Sequence, residues 1–150
     1  MADASAERTP AQQPPATGIV DDVMRQPLTT VELNDHVAAA AYLMKHAHAS
    51  ALIVLDAQTD EPIGIITEAD ITRAVADGKD VNEVRIHELM TGRPHVIQAS
   101  TSILDAATLM TTSHFRHLPV VGEKGLIGIV DVTDVCRALI DPAVTQQRSR

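Results

Sequence analysis

The sequence predicts an α/β (α+β) chain built of two β-α-β-β-α repeats, packed sheet to sheet with pseudo-two-fold symmetry. Three observations lead there. The chain matches itself: Val37, Ala40, Ala41 and Met44 recur as Ile103, Ala106, Ala107 and Met110 at one offset (103 − 37 = 66), the mark of a duplicated structural unit. Stretches with helical apolar spacing alternate with short aliphatic runs that suit strands. A copy of about 60 residues buries too small a fraction of its surface to stand alone, so the two sheets are expected to cover one another.

Residues 1 to 17 are dominated by Ala, Pro, Gln and Thr, with Pro10, Pro14 and Pro15 among them, and read as a disordered tail. The first repeat, 18 to 80, opens with Val20-Asp21-Asp22-Val23-Met24 and a strand around Thr29 to Glu32. A helix follows on the face Val37, Ala40, Ala41, Met44, with Asn34 or Asp35 as its cap. Two strands, Ala51 to Leu55 and Ile63 to Ile66, flank the turn Asp56 to Glu61. A second helix starts near Glu68, and Gly78 is available to end it in a left-handed conformation.

The second repeat, 81 to 141, echoes each part: Ile86-His87-Glu88-Leu89-Met90, then a strand at Val96 to Gln98. Its first helix takes Ser100 or Thr101 as cap, its strands are Leu118 to Val121 and Leu126 to Val130, and its last helix begins near Val132. Here the turn Gly122-Glu123-Lys124-Gly125 is shorter, so Gly64 aligns with Gly128 at a smaller offset (128 − 64 = 64). Beyond Pro142 the polar residues 142 to 150 read as a flexible tail.

With 45% hydrophobic residues but one Tyr, one Phe and no Trp, the core must be aliphatic. Lys and Arg number 12 against 20 Asp and Glu, a net charge of −8, which leaves no broad cationic surface for phosphate backbones and argues against a nucleic-acid partner. The lone Cys136 makes no internal disulfide, and the N-terminus has neither a basic nor an apolar leader region, so a reducing cytoplasm is expected. The longest apolar run, Val37 to Met44, is far short of the roughly 18 residues of a spanning helix, so no membrane segment is expected.

The candidate chemistry lies where a strand runs straight into a helix: Gly64-Ile65-Ile66-Thr67-Glu68-Ala69-Asp70, matched by Gly128-Ile129-Val130-Asp131-Val132-Thr133-Asp134. Free amides and the dipole at a helix start favour an anion; Thr67 can donate to a phosphate oxygen, and Asp70 and Asp134 can accept from a ribose diol. Thr67-x-x-Asp70 is equally a capping box, and the two roles coexist. Two histidine pairs, His46-x-His48 and His114-x-x-His117, lack a partner Cys and read as exposed helix-end residues, so no metal site is expected. Cys136, in Val135-Cys136-Arg137-Ala138-Leu139, reads as a buried structural thiol, and no nucleophile-elbow or phosphate-loop signature occurs, so catalysis is not expected.

Met24 and Met90 closing the lead-in segments, His117-Leu118-Pro119-Val120-Val121, and the twin segments from Gly64 and Gly128 together resemble a tandem pair of cystathionine-β-synthase (CBS) domains, a Bateman module, over roughly residues 18 to 141. The resemblance implies a stand-alone regulatory module, not a catalyst. It implies binding of an adenosine-containing ligand such as AMP, ADP, ATP or S-adenosylmethionine, and signalling through a homodimer or a target protein. It makes Asp70 and Asp134 ribose ligands, Thr67 a phosphate ligand, the backbone around Leu118 and Pro119 an adenine-facing wall, and Arg116 and His117 phosphate-facing basic groups; Pro119 would suit an edge strand. Asp131 departs from the pattern, standing where a Ser or Thr hydroxyl is common, and Ser50 stands where the second copy has Arg116. One occupied site, centred on Thr67 and Asp70, is therefore expected. The alternative is a module that has lost its ligand and serves in dimerisation or docking.

Overall fold

The computed structural model describes residues 18–27, 31–141 and 143. Apart from Ala143, the tails expected at 1 to 17 and 142 to 150 lie outside the described residues. In chain order the elements are α1 (Val37–Ala47), β1 (Ala51–Leu55), β2 (Pro62–Thr67), α2 (Glu68–Ala76), β3 (Thr91–Gly92), β4 (Ile97–Gln98), α3 (Ile103–Ser113), β5 (His117–Gly122), β6 (Gly125–Asp131) and α4 (Val132–Ile140). The lead-in segments form single 3₁₀ turns, Val20–Asp22 and Ile86–Glu88. Of the strand expected at Thr29 to Glu32, residues 29 and 30 lie outside the described residues, and Val31 makes a single parallel bridge to Val54.

Two three-stranded sheets result, β1-β2-β3 and β4-β5-β6. Helix-spaced apolar residues cover one face of each: Val37, Ala40 and Met44 pack with Leu52, Val54 and Ile66, while Ile103, Ala106 and Met110 pack with Leu118, Val120 and Val130. The opposite faces meet through Ala51, Ile53 and Ile65 with Leu55, Leu126 and Ile129, which is the expected sheet-to-sheet contact.

The lead-in segments cross over. Val20, fully buried, belongs to the core of the second copy, and Ile86, fully buried, to the core of the first. Backbone bonds follow the same exchange: Val20 N–H donates to Thr101 O at 2.8 Å and Asp21 N–H to Ala99 O at 2.9 Å, while Ile86 N–H donates to Asp35 O at 3.0 Å and Val37 N–H to Val84 O at 3.0 Å. β3 then adds to β2 through Gly64↔Gly92 and Ile65↔Thr91, and Arg25 bridges Ile129 of β6 in the equivalent place. Each fully buried Val or Ile stabilises the fold by roughly 1.5–3 kcal/mol, so each copy depends on a side chain from the other.

Glycine makes the crossing possible. A Cβ on Gly64 would overlap the Met90 sulfur, and one on Gly128 would lie 2.7 Å from the Met24 sulfur and 3.1 Å from the Arg25 carbonyl oxygen. The Gly and Met that recur in both repeats are thus two halves of one contact.

Several local expectations need correction. The N-cap of α1 is His36, without a side-chain bond, because the Asp35 carboxylate accepts from Glu32 N–H at 2.9 Å instead. α3 is capped not by Ser100 or Thr101 but by Ser102, whose Oγ accepts from Asp105 N–H at 3.0 Å. Pro119 lies in the central strand β5, opposite Ile129, whose backbone groups bond to Arg25. It loses no ladder bond there, because the two-residue β4 pairs only with Val120 and Val121. Cys136 is exposed, since the buried stripe of α4 runs through Asp134, Val135 and Ala138 and leaves position 136 outside. Gly78 does follow α2 with φ +76°, as its position suggested.

Candidate functional site

The β2-to-α2 junction is rigid because its capping box is complete. Thr67 Oγ1 accepts from Asp70 N–H at 3.2 Å, Asp70 Oδ2 accepts from Thr67 N–H at 2.9 Å, and the Thr67 hydroxyl donates to the same oxygen at 2.9 Å. Asp70 Oδ1 also accepts from Arg73 Nη1 at 3.3 Å. Beside this junction opens a cleft of about 880 Å³, a volume suited to a nucleotide-sized ligand. Its walls come from four places: Ile65 and Thr67 to Asp70; Thr91 and Arg93 to Val96; His114 to His117; and Asp131 to Thr133, with Ser50 at the back. The starts of α2 and α4 both line it, so two dipole ends converge on one space, although most of their first amides are already paired within the capping boxes and with Ser50 O and Arg116 O.

The charges within it are mixed. Arg93 and Arg116 line the cleft with Glu68, Asp70 and Asp131, joined by His95, His114 and His117. Phe115, the chain's one phenylalanine, stands 36% exposed at the wall with its ring 5.7 Å from that of His95. His117 is half-buried, and its Nε2 lies 2.7 Å from Ser50 Oγ. Burial holds its pKa below the usual histidine value, and Arg116 and Arg25 push the same way against Asp131 and Glu68. Its ring is therefore neutral at neutral pH.

Four of the residues singled out from sequence, Thr67, Asp70, Arg116 and His117, come together here. Leu118 and Pro119 do not line the cleft, being fully buried, with Leu118 in the second core. Asp134 lies elsewhere as well: it is buried, and its Oδ2 accepts from Arg25 Nε at 3.2 Å. Burial raises the Asp134 pKa, the nearby Asp131 charge adds to this, and the Asp131 amide and Arg25 oppose it. Arg93, His95, Val96 and Phe115 were not singled out from sequence. The offset of 66 maps Arg93 and His95 onto Pro27 and Thr29 (93 − 66 = 27; 95 − 66 = 29), so the repeat gave no hint of them. Among the described residues no group of three or more His, Cys, Asp or Glu has metal-holding geometry, and His48 and His114 instead end α1 and α3 in left-handed conformations.

The model of the CBS domain matches residues 20–77 and 86–141, the two repeats that flank this cleft. The chain belongs to the CBS domain family. A 17.7 kDa protein of Acidianus ambivalens is 35% identical over 123 residues, 81% of this chain and 73% of its own length. MK0525 of Methanopyrus kandleri is 33% identical over 118 residues, 77% of this chain but only 60% of its own, so that relative extends well beyond the matched stretch. Among solved structures, CBSX2 in complex with AMP is 28% identical, with a TM-score of 0.67 over 82% of this chain and 96% of that one. The CBS domain pair of MJ0100, in complex with 5-methylthioadenosine and S-adenosylmethionine, is 26% identical, with a TM-score of 0.73 over 81% of this chain and 94% of that one. The chain is thus a CBS pair with the α+β architecture of its neighbours, two of which hold adenosine compounds. No helix among the described residues is long and apolar enough to cross a membrane.

Proposed function

We infer that this chain is a regulatory module that binds an adenosine-containing ligand in the large cleft and does not catalyse a reaction. The cleft itself is the observation that carries this reading: two helix starts, the Thr67–Asp70 pair and two arginines surround one space of about 880 Å³ in a family whose members bind AMP and S-adenosylmethionine. Asp70 accepts from the ribose hydroxyls, Phe115, Pro94 and Val96 offer an apolar wall to the base, and Arg93 and Arg116 meet the phosphate. The three lining carboxylates offset those two arginines, which favours AMP or S-adenosylmethionine over ADP or ATP.

With no catalytic group assigned, the signal passes through a homodimer or a target protein. Val75 on α2 (57% exposed) and Leu139 and Ile140 on α4 (38% and 84%) supply apolar surface for such contacts. The same surface supports the second reading, a docking protein without a ligand. Thermal melting against AMP, ADP, ATP and S-adenosylmethionine separates the two. A ligand at 100 times its Kd adds about 2.7 kcal/mol, at least about 5 °C for a chain of this size. No shift with any of them refutes the sensing reading, and an Asp70→Ala protein that binds equally tightly refutes the placement of the site at Thr67 and Asp70.

A further inference from the structure

The wall of the large cleft carries a charge in the second repeat where the first has none: Asp131 stands at the start of α4 as Thr67 stands at the start of α2 (131 − 64 = 67). A second difference accompanies it. Arg25, bridged to Ile129 of β6, holds the place that Thr91, paired with Ile65, holds beside β2 (129 − 64 = 65; 25 + 66 = 91). The neutral residues Thr67 and Thr91 of one half thus correspond to the ion pair Asp131 and Arg25 of the other. Arg25 Nη2 donates to Asp131 Oδ2 at 2.5 Å and its Nε to Asp134 Oδ2 at 3.2 Å, while Asp131 Oδ1 caps α4 by accepting from Asp134 N–H at 2.8 Å. The arginine is held in place by its backbone, which bonds in both directions to Ile129, at 2.9 and 2.8 Å. Arg25 does not itself line the large cleft; it reaches Asp131 from outside. The Asp131 side chain is only 17% exposed, so water screens its charge poorly, and its partner decides how strongly a ligand in the cleft feels it.

We propose that Arg25 is a specificity-determining residue of the large cleft: it cancels the Asp131 charge from outside, and so lets the cleft hold a nucleoside monophosphate rather than only an uncharged or cationic nucleoside. For its ligand this rests on the reading of the large cleft as an adenosine site, which it deepens. With Asp131 paired, the wall sets Arg93 and Arg116 against Glu68 and Asp70, and Asp70 is itself held by Arg73 at 3.3 Å. Without Arg25 the bare Asp131 carboxylate would face the ligand and repel a phosphate. His117, on the same wall, reports the balance: burial lowers its pKa most, Asp131 and Glu68 raise it, and Arg116 and Arg25 lower it.

Calorimetric titration of the full chain with AMP and with adenosine tests this. Arg25→Thr weakens AMP by about tenfold and changes adenosine by less than about twofold. Arg25→Thr combined with Asp131→Thr, which rebuilds the neutral residues of the first half, returns AMP to within about threefold of the wild type. Equal losses for both compounds give Arg25 a merely structural role and overturn the proposal, as does a double variant that binds AMP no better than Arg25→Thr. Asp131→Thr alone keeps Arg25 on Asp134, leaves a hydroxyl to cap α4, and tightens AMP by about threefold or more; an unchanged affinity there overturns the proposal too. A wild type that binds neither compound refutes the sensing reading instead, and the His117 ring, titrated by NMR in the ligand-free chain, then decides the charge pairing. Its pKa rises in Arg25→Thr, falls in Asp131→Thr and returns to the wild-type value in the double variant; a value that neither single substitution moves overturns the proposal.

Discussion

Substituting Gly64 by alanine pits two effects of opposite sign against each other. Gly64 lies within β2 at an ordinary strand conformation, so adding a Cβ there should stabilise the strand by about 0.5–1 kcal/mol through reduced backbone freedom. The new methyl would overlap the Met90 sulfur and lie 3.2 Å from Met90 Cε and 3.3 Å from Cγ. Met90 is partly buried against the first core, so its thioether has to shift within packed surroundings, and overpacking of this kind costs about 1–3 kcal/mol. The steric effect wins, leaving a net destabilisation of about 1–2 kcal/mol, read as a fall of roughly 0.5–1 M in the urea midpoint. Combined with Met90→Ala the steric cost of the added methyl disappears, so the double variant is more stable than the sum of the singles by about 1–3 kcal/mol. At Gly128 the Arg25 carbonyl oxygen also stands 3.1 Å from the added Cβ; backbone cannot rotate aside, so Met24→Ala rescues Gly128→Ala less completely. Additivity of Gly64→Ala and Met90→Ala, or a Gly64→Ala chain more stable than wild type, would refute the reasoning.

Other outcomes follow from features already described. Since burial lowers the His117 pKa, the unfolded chain takes up its proton first, and the stability owed to neutral His117 is present above about pH 6.5 and is lost as pH falls towards the folded value. Urea titrations at pH 7.5 and 5.5 should therefore differ less for His117→Gln than for wild type, and an equal difference contradicts the assignment. Ile86→Ala empties a fully buried position in the first core and should cost about 2–5 kcal/mol; a loss below about 1 kcal/mol in the same assay would deny the exchange of lead-ins. Cys136, being exposed, should react with a thiol reagent in the native protein as completely as in urea, whereas protection until unfolding would return it to the interior.

Much of this fold is local and was therefore legible. The duplicated faces Val37-Ala40-Met44 and Ile103-Ala106-Met110 are buried as their spacing implied, because helical periodicity is imposed by the backbone alone. The starts of α2 and α4, expected near Glu68 and Val132, fall at those residues, since a strand entering a capping box leaves one register. The caps of α1 and α3 could not, because several polar residues in a row compete and tertiary packing chooses among them. The bond from Arg25 to Asp131 was invisible for a plainer reason: the two lie 106 positions apart, and no local pattern links them. The Arg93 segment reaches the large cleft because β3, which precedes it, joins the other repeat's sheet. The inward burial of Leu118 and Pro119 is likewise set by the central place of β5, which the repeat pattern did not specify.

The crossed lead-ins also dictate how this chain must come into being on a ribosome. When the first repeat has emerged, its core still lacks Ile86 and its sheet still lacks β3, while Val20 has no partner until the residues around Thr101 and Ile103 have followed. Contacts between residues this far apart slow folding. A nascent chain cut short at the boundary between repeats would expose two unfinished interiors rather than one finished half, an aggregation-prone state. Duplication here did not yield two domains joined in series; it yielded a closed clasp in which synthesis of the last helix completes the place of the first buried side chain.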